Sequence, residues 1–376
     1  MKIVITGARG LLGWHSAARL HADNCGARYR GDAEPWTLVP LDRAAFNDDA
    51  LLADALAGAD IILHWAGVNR GSDGEVAEGN PAIARRLVDF CARAGVSPFI
   101  VYANSTHAAL DTVYGRSKKA AADIIAAFTG GAFCDLVLPH IFGELARPYY
   151  NNVTATFIDQ IWKGEKPSIN ADGRVELLHS GDAARIAMDA ALARRAGTLR
   201  PEGRAISVAD LWDRLSAFHD DYMAGIFPDL ADPFDLALFN SYRTAAYPHR
   251  YPRALTVNAD NRGILFESAK ARGSGHAFLS TTRPGIVRGD HFHSNLVERF
   301  VVVSGKAVIR VRKVLSDDVH EFFVSGDEPV AIDQIPFHTH HIQNLGDSDL
   351  ITFFWSHRIF DRANPDTYQD PVLGAQ

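Results

Sequence analysis

The chain has few cysteines, no dense basic segment and no long apolar run. Its 376 residues include three cysteines, at positions 25, 91 and 134, and this odd, widely spaced set argues against a disulfide framework. A net charge of −7 without Lys- or Arg-rich runs argues against nucleic acid as a partner, because phosphate binding needs clustered positive charge. No apolar run reaches membrane-spanning length, and strand-like sequence from Lys2 leaves no room for a signal peptide. We therefore expect a cytoplasmic protein without a membrane partner.

Two parts of the chain differ in character, and its length accommodates two domains. Up to about residue 200, short β-rich runs alternate with Ala- and Leu-rich stretches, which predicts βαβ units around a parallel sheet. The strand candidates are KIVIT, WTLVPLD, DIILHWAG, PFIVYAN and CDLVLPH. Residues 200–244 are predicted to be helical and 240–258 to be a linker. Short β runs follow, separated by Gly, Pro, Asn and Asp, which predict a sandwich or barrel. We place the domains at 1–244 and 245–376.

A glycine-rich segment, TGARGLLG, follows the first predicted strand and opens a helix. It contains Gly7, Gly10 and Gly13. Glycines at such a turn let a pyrophosphate approach the helix N-terminus, where free N–H groups and the helix dipole favour anions. The segment therefore predicts a dinucleotide site, the alternative being a glycine turn that binds no ligand.

The end of the second predicted strand carries Asp42 and Arg43. An acidic residue at this place would bind ribose hydroxyls, and an adjacent arginine would suit a 2′-phosphate. Arg9, inside the glycine loop, could reach the same phosphate. The two arginines favour NADP(H), whereas Asp42 keeps NAD(H) open, and either arginine could instead be an ordinary surface residue.

A third motif, YGRSK, places Tyr114 and Lys118 four residues apart on one helical face. A tyrosine that exchanges protons near neutral pH needs its pKa lowered by about three units, roughly 4 kcal/mol, and a neighbouring ammonium stabilises the phenolate in that sense. Ser105, at the end of a predicted strand, could hydrogen-bond the same carbonyl oxygen. The alternative is that Tyr114 and Lys118 are only neighbouring side chains on the exposed surface of a helix.

Together these motifs resemble the extended short-chain dehydrogenase/reductases. The resemblance also includes HWAG, with Ala66 and Gly67, and PHIFG at 139–143, and it covers residues 1 to about 244. It implies a Rossmann-like domain in which Ser105, Tyr114 and Lys118 are catalytic, Ala66 and Gly67 help bind the cofactor, and the substrate is a nucleotide sugar. Asn104 stands where a second serine is frequent, which leaves open which hydroxyl is used.

The C-terminal part contains the segment GDHFHSNLVERFVVVSG. His291 and His293 alternate along a predicted strand and point to one face, whereas Glu298 has the wrong parity for that strand. Glu298 joins them only if the chain turns at residues 294–295 and Glu298 lies on the returning strand. The segment IPFHTHHIQN offers three candidates for a fourth ligand: His338, His340 and His341. Three histidines and one glutamate suit zinc or another divalent transition metal.

This spacing resembles the cupin motifs. Gly285, the two histidines, Glu298 and Gly305 match the first motif throughout, and the second survives in part, with Asn344 four residues after His340. The resemblance implies a β-barrel and favours His340 as the fourth ligand. Some sugar-epimerising cupins use a histidine there as a base, so metal binding stays open.

A reductase followed by a cupin resembles the bifunctional capsular polysaccharide enzymes of the CapF type. The likeness covers nearly the whole chain, including RPYYNNVTATF, ADNRG and FDRANPDTY. It implies C3 epimerisation of a UDP-4-keto-6-deoxy-N-acetylhexosamine, then NADPH-dependent reduction at C4, towards UDP-N-acetyl-L-fucosamine precursors. It also implies a homodimer and four substrate-contacting candidates: Arg147, Asn152, Arg262 and Glu267. For Arg262 and Glu267, a structural ion pair is the alternative.

Other functions compete with this interpretation. A single-activity nucleotide-sugar reductase or 4-epimerase with a structural metal cupin fits the same motifs. An NADP-binding redox sensor is disfavoured because the Tyr–Lys pair is intact, and an Fe(II) cupin dioxygenase would consume oxygen. Only product analysis separates the first of these from the bifunctional enzyme.

Overall fold

The computed structural model describes residues 1–170 and 172–374. The chain forms two compact units, one of residues 1–156 and 169–208 and the other of residues 157–168 and 209–376. The units therefore do not divide at residue 244 as predicted. Within the described ranges, no helix is long and apolar enough to cross a membrane.

The first unit alternates strands and helices. Its elements are β1 (Lys2–Thr6), α1 (Leu11–Arg30), β2 (Thr37–Leu41), α2 (Arg43–Asn47), α3 (Asp49–Leu56), β3 (Ile61–His64), α4 (Asp73–Ala94), β4 (Phe99–Ser105), α5 (Val113–Thr129), β5 (Cys134–Leu138), β6 (His140–Phe142), α6 (Val153–Lys163, which continues into the second unit), β7 (Arg174–His179), α7 (Ser180–Leu192), β8 (Gly197–Leu199) and β9 (Arg204–Ser207). All five predicted strands are present.

A six-stranded parallel sheet forms the centre of this unit, in the order β2-β1-β3-β4-β5-β8. Alternate residues of β1 enter different cores: Val4 packs in one cluster, and Ile3 and Ile5 pack in the other. Because both faces of the central strands are covered, β1, β3 and β4 are nearly continuous buried runs without polar alternation. The predicted Rossmann-like α/β fold is confirmed.

A second, three-stranded sheet has the order β6-β7-β9. Strand β9 contradicts the prediction that residues 200–244 are entirely helical. Its residues pair antiparallel with β7, from Arg174 opposite Ser207 to Leu177 opposite Arg204. Tertiary pairing therefore overrides the local pattern over these four residues.

The second unit begins with helices and continues as β-structure. Its elements are α8 (Val208–Met223), β10 (Ile226–Phe227), α9 (Pro233–Thr244), β11 (Arg253–Ala254), β12 (Val257–Asp260), β13 (Gly263–Phe266), β14 (Lys270–Ala271), β15 (His276–Thr282), β16 (Val287–Phe292), β17 (Glu298–Ser304), β18 (Lys306–Lys313), β19 (Val319–Ser325), β20 (Val330–Gln334), β21 (His338–Asn344), β22 (Leu350–Ser356) and β23 (Tyr368–Gln369). Two antiparallel five-stranded sheets, β11-β20-β17-β22-β15 and β19-β18-β21-β16-β23, form the predicted all-β domain.

The predicted linker at 240–258 is a packed part of this unit. Residues 240–244 end helix α9, and Ala246 and Tyr251 are buried in one apolar cluster with Phe300 and Ile309. Helix α8 is fixed to the barrel by the hydroxyl of Tyr222, which donates to Asp333 at 2.5 Å. These contacts explain why the helices before residue 244 belong to the C-terminal unit.

Candidate functional sites

The glycine loop between β1 and α1 is closely packed against itself. Gly7 has a φ of +66°, which favours glycine, and its carbonyl accepts from Gly10 N at 2.8 Å. A Cβ on Gly13 would lie 2.2 Å from the Gly7 carbonyl oxygen. The turn therefore requires glycine at positions 7 and 13, and it leads into the N-terminus of α1, where a pyrophosphate would be favoured.

The end of β2 carries the predicted ribose-binding residues. Asp42 caps α2 by accepting from Ala45 N at 2.9 Å and forms an ion pair of 2.9 Å with Arg9. The hydrogen bond from Ala45 and the charge of Arg9 lower the pKa of Asp42. Arg9 and Arg43 are exposed. The structure thus places the guanidinium of Arg9 beside the carboxylate of Asp42, and the binding of a 2′-phosphate there stays a prediction.

Ala66 and Gly67 follow β3 beside the glycine loop. Ala66 N donates to Thr6 Oγ1 at 3.1 Å, and a Cβ on Gly7 would lie 2.9 Å from Ala66 N. A Cβ on Gly67 would lie 3.9 Å from Lys118 Nζ. This short segment therefore connects the predicted nucleotide loop to the predicted catalytic lysine.

The structure brings Ser105 and Tyr114 together. Burial raises the pKa of Tyr114, and a hydrogen bond with the Ser105 side chain opposes that shift. The ring of His107 packs edge-on against Tyr114, with 6.4 Å between the ring centroids. A serine hydroxyl bonded to a phenol provides two groups that can hold one carbonyl oxygen.

Lys118 is buried, and its ammonium group contacts strand β4. Its ammonium donates to the carbonyl oxygen of Ala103 and lies 4.2 Å from the centroid of the Tyr102 ring. Burial lowers the Lys118 pKa to about 7, and the charge of Asp135 opposes this shift. The ammonium is therefore held against the end of β4 by a main-chain carbonyl and an aromatic ring.

Two residues that the motifs did not indicate support Ser105. Asn104 Oδ1 accepts from Ser105 N at 2.9 Å, and Asn104 Nδ2 donates to Asp135 Oδ1 at 2.8 Å. Asn104 was noted only as a departure from the usual serine, and no sequence signal marks Asp135. Its role depends on the pairing of β4 with β5.

The predicted substrate residues of the first unit differ in exposure. Arg147 is exposed, and its guanidinium lies 5.4 Å from the centroid of the Tyr150 ring. Asn152 is buried, donates to Ile141 O at 2.9 Å and accepts from Ala155 N at 2.9 Å. Because both ends of its amide are engaged within the chain, a direct substrate contact by Asn152 gains no support, whereas Arg147 stays a prediction.

Three histidines of the second unit form a candidate metal centre. One ring nitrogen from each of His291, His293 and His340 lies within 4.8 Å of the others. His291 and His340 are opposite each other on β16 and β21. A zinc ion bound by imidazoles at about 2.1 Å would need only small shifts to draw these nitrogens into its shell.

Hydrogen bonds to the main chain orient the rings. His293 Nδ1 donates to Asp366 O at 2.7 Å, His340 Nδ1 donates to His338 O at 3.1 Å, and His291 bonds to the Gly289 carbonyl. Nε2 of His340 is buried and has no hydrogen-bond partner among residues 1–170 and 172–374. A buried lone pair without a partner is the state that a metal would satisfy, so these residues fit a divalent transition metal.

The local electrostatics also favour neutral imidazoles at two positions. Burial lowers the pKa of His291 to about 4, and burial lowers the pKa of His340 still further below its ordinary value. At His293 burial acts in the same direction, but the negative charge of Glu298 outweighs it and raises the pKa.

Glu298 approaches the histidines from the facing sheet. The chain turns after His293 as predicted, but β17 pairs with β20 and β22, and no hairpin forms with β16. Glu298 Oε2 lies 3.6 Å from His293 Nε2. The rival ligands also bond through Nδ1, His338 to Pro336 O and His341 to Asp290 Oδ1, each at 2.8 Å. Among the described residues, the group of converging nitrogens contains His340 and neither of these two.

A cavity of about 490 Å³ opens onto this cluster from between the two sheets. The parallel rings of Phe278 and Phe354 form part of its wall, with 4.8 Å between their centroids. Sequence motifs missed these residues and the further lining residues His276, Arg288 and Arg358. The alternation of β15, which places His276 and Phe278 on one face, is the signal that would have found two of them.

Arg262 and Glu267 are outside the cavity lining. Arg262 is bonded to Asp260 at 2.5 Å in the β12–β13 hairpin, and Glu267 is bonded to Lys270 at 3.0 Å. Both side chains are exposed, and the ion-pair alternative describes them. Their predicted contacts with the substrate therefore stay predictions.

Comparison with known proteins gives the family. Residues 3–208 match the NAD dependent epimerase/dehydratase family, and residues 258–368 match the polysaccharide biosynthesis C-terminal domain. The chain is 29% identical over 376 residues to the UDP-2-acetamido-2,6-beta-L-arabino-hexul-4-ose reductase of Pseudomonas aeruginosa, covering 98% of each protein.

Two solved structures of full-length relatives agree with this result. The capsular polysaccharide assembling protein CapF from Staphylococcus aureus is 29% identical, covers 99% of this chain and all of its own, and aligns with a TM-score of 0.59. CapF with the inhibitor 3-isopropenyl-tropolone gives 28% identity, the same coverage and a TM-score of 0.55. The chain therefore belongs to the NAD dependent epimerase/dehydratase family and is a CapF-type homologue in which that domain precedes a polysaccharide biosynthesis C-terminal domain.

Proposed function

We propose that the chain is a bifunctional nucleotide-sugar enzyme of surface polysaccharide biosynthesis. It epimerises C3 of a UDP-4-keto-6-deoxy-N-acetylhexosamine and then reduces C4 with NADPH, towards UDP-N-acetyl-L-fucosamine precursors. The observation that carries the proposal is a cavity onto which three imidazoles converge, in a chain that also pairs Ser105 with Tyr114. The relative that matches over 98% of both chains is a UDP-hexulose reductase, which supports a UDP-sugar as the substrate.

The reduction is assigned to the first unit. NADPH, when bound, supplies the hydride that goes to C4 of the ketone. Tyr114 donates its phenolic proton to the oxygen that becomes an alkoxide, and Ser105 orients that oxygen by a second hydrogen bond. The hydrogen bond that Ser105 N donates to Asn104 Oδ1 holds the end of β4 in place. Arg147, exposed after β6, is a candidate for the diphosphate.

The epimerisation is assigned to the second unit. A divalent metal, when bound by His291, His293, His340 and Glu298, would polarise the C4 carbonyl and so acidify C3. A histidine whose lone pair binds a metal cannot also take a proton. Among the cavity-lining residues outside this ligand set, His276 is then the candidate to exchange the C3 proton, and the Phe278–Phe354 pair offers an apolar surface to the sugar.

Chemistry sets the order of the two steps. The C3 proton is acidic only while C4 is a carbonyl, because the enolate delocalises onto that oxygen. Reduction removes the carbonyl and makes the C3 configuration permanent. Epimerisation must therefore precede reduction.

NADPH is preferred to NADH in this proposal because Arg9, in the glycine loop, and Arg43, after β2, are both exposed beside Asp42. Replacing Arg9 and Arg43 together by alanine should lower kcat/KM for NADPH much more than for NADH. An unchanged ratio of the two values would contradict the assignment.

A homodimer is also proposed. Strand β15 lies at the edge of its sheet, where unpaired main-chain groups can pair with a second chain. Its Leu279 is exposed, as are Ile264 and Leu265 of the β12–β13 hairpin. Light scattering of the purified protein should give a mass near 82 kDa, twice the 41.1 kDa of one chain; a mass near that of one chain would contradict it.

One experiment tests the two activities. The protein is incubated with a UDP-4-keto-6-deoxy-N-acetylhexosamine in deuterated water without NADPH, and the sugar is followed by NMR. Deuterium should appear at C3, and added NADPH should then give a reduced product. If NADPH is consumed without any exchange at C3, the chain is a single-activity reductase with a structural barrel.

A further inference from the structure

Asp366, in the segment between β22 and β23, makes an unusual set of contacts with the turn between β16 and β17. Its side chain is buried, and its φ of +47° is uncommon for a residue other than glycine. One carboxylate oxygen accepts from Ser294 N at 2.8 Å and Ser294 Oγ at 2.5 Å. The other accepts from Asn295 N and Leu296 N, each at 3.0 Å.

These four hydrogen bonds fill the acceptor positions of one carboxylate. They hold three consecutive residues between His293, on one side of the turn, and Glu298, on the other. Because β16 and β17 belong to different sheets, no strand pairing fixes the distance between these two side chains. The carboxylate of Asp366 supplies that restraint instead.

The main chain of Asp366 acts on the ring of His293 directly. Its carbonyl oxygen accepts from His293 Nδ1 at 2.7 Å. This bond keeps the proton on Nδ1 and leaves the lone pair on Nε2, which faces the other two histidines. One residue thus fixes both the orientation of a ligand and the turn that leads to the next one.

The same segment lines the cavity. Asn364, Pro365 and Thr367 lie on its wall, on either side of Asp366. Any ion held by His293 and Glu298 would stabilise the turn, and the turn stabilises the segment through Asp366. By linkage, the ordered segment must in turn strengthen ion binding by the same factor.

We infer that Asp366 is a positioning residue that couples the candidate metal centre to the C-terminal segment forming one wall of the substrate cavity. The inference rests on the proposed metal centre and is independent of the epimerase activity.

The test compares full-length variants for zinc affinity, measured by competition with a chromophoric chelator. Asp366→Ala should lower the affinity about 10- to 100-fold, as loss of a residue that orients a metal ligand does. Ser294→Ala, which removes one of the four bonds, should have a smaller effect. Asp317→Asn, an exposed carboxylate between β18 and β19, is the matched control and should match the wild type.

Two readouts separate positioning from general stability. Zinc should raise the Tm of the wild type more than that of Asp366→Ala, and cobalt-substituted protein should show altered visible bands in the variant. A purely structural residue would lower the Tm of the metal-free and metal-bound forms equally, and that result would overturn the inference.

Limited trypsinolysis provides a test that needs no variant to fold. Arg362 is exposed in the segment, four residues before Asp366. Zinc should slow cleavage after Arg362 in the wild type, and an unchanged rate at saturating zinc would overturn the coupling. If the wild type binds no divalent ion, the proposed metal centre is wrong. If the wild type and the variants bind zinc with equal affinity, only the proposed role of Asp366 is wrong.

Discussion

Replacing Gly13 by alanine is predicted to distort the nucleotide loop. The added Cβ would lie 2.2 Å from the Gly7 carbonyl oxygen and 2.7 Å from its carbonyl carbon. Carbon atoms in contact normally stay about 3.5 Å apart, so the main chain must move by about 1 Å. Gly7 cannot relax freely, because its φ of +66° and its bond to Gly10 define the turn.

The same substitution at Gly26 provides a control within helix α1. A Cβ there would meet only Arg30 Nη1, at 3.4 Å, which is the end of a flexible side chain. We expect Gly26→Ala to stabilise the helix by about 0.5–1 kcal/mol, because alanine loses less main-chain entropy than glycine. We expect Gly13→Ala to destabilise the protein by about 1–3 kcal/mol through overpacking.

Urea unfolding and NADPH fluorescence titration measure the two effects. Gly13→Ala should unfold at lower urea and bind NADPH at least about ten times more weakly, since a loop shifted by this much misplaces the N–H groups that face the pyrophosphate. Gly26→Ala should bind NADPH like the wild type. Wild-type affinity in Gly13→Ala would refute the assignment of the loop to the cofactor.

Three further predictions concern single side chains. Tyr114→Phe should lower kcat for reduction about 10²- to 10⁴-fold without changing NADPH affinity, while the exposed Tyr29→Phe should change neither; normal turnover would contradict the proton-donor role. Burial, and then the charge of Lys118, lower the His64 pKa to about 3. Between pH 6.5 and 3 only the unfolded state then binds this proton, so stability falls by about 1.4 kcal/mol per pH unit on acidification. His64→Asn should flatten that decline in urea unfolding between pH 7 and 4, and an identical slope would show that His64 titrates normally. His340→Ala should abolish stoichiometric zinc binding measured by metal analysis, whereas His338→Ala should not; the reverse would exchange the ligand assignment.

The fold class could be predicted from the sequence because it follows from the periodic spacing of apolar residues along the chain. Five apolar runs became five of the six strands of the parallel sheet, and most of the two antiparallel sheets came from the short runs after residue 258. Prediction from the sequence failed where long-range pairing decides the outcome. Residues 204–207 form a strand because β7 offers an edge, and the helices before residue 244 join the barrel through contacts such as that of Tyr222 with Asp333.

The candidate sites show the same division. Parity indicated His291 and His293, and the cupin resemblance favoured His340 as a further ligand; in the structure His340 meets them from a strand about fifty residues later. No local pattern could indicate that Asp366 would hold the turn between His293 and Glu298, because that contact joins residues more than seventy positions apart. Arg262 and Glu267 came from resemblance alone, and their exposed ion pairs leave them without support.

The two candidate sites differ in whether hydrogen bonds within the chain already orient their side chains for the proposed ligand. In the barrel, hydrogen bonds already direct His293 and His340 towards one point. In the reductase unit, Lys118 is bonded to the carbonyl of Ala103 and has a pKa of about 7, lowered first by burial. If a cofactor binds the charged lysine, NADPH binding at pH 8 must take up close to one proton, because the free amine is mostly neutral there. Calorimetric titrations in two buffers of different ionisation enthalpy measure that uptake. Lys118→Met should abolish it, and equal heats for the wild type in both buffers would show that the lysine does not change its charge on binding.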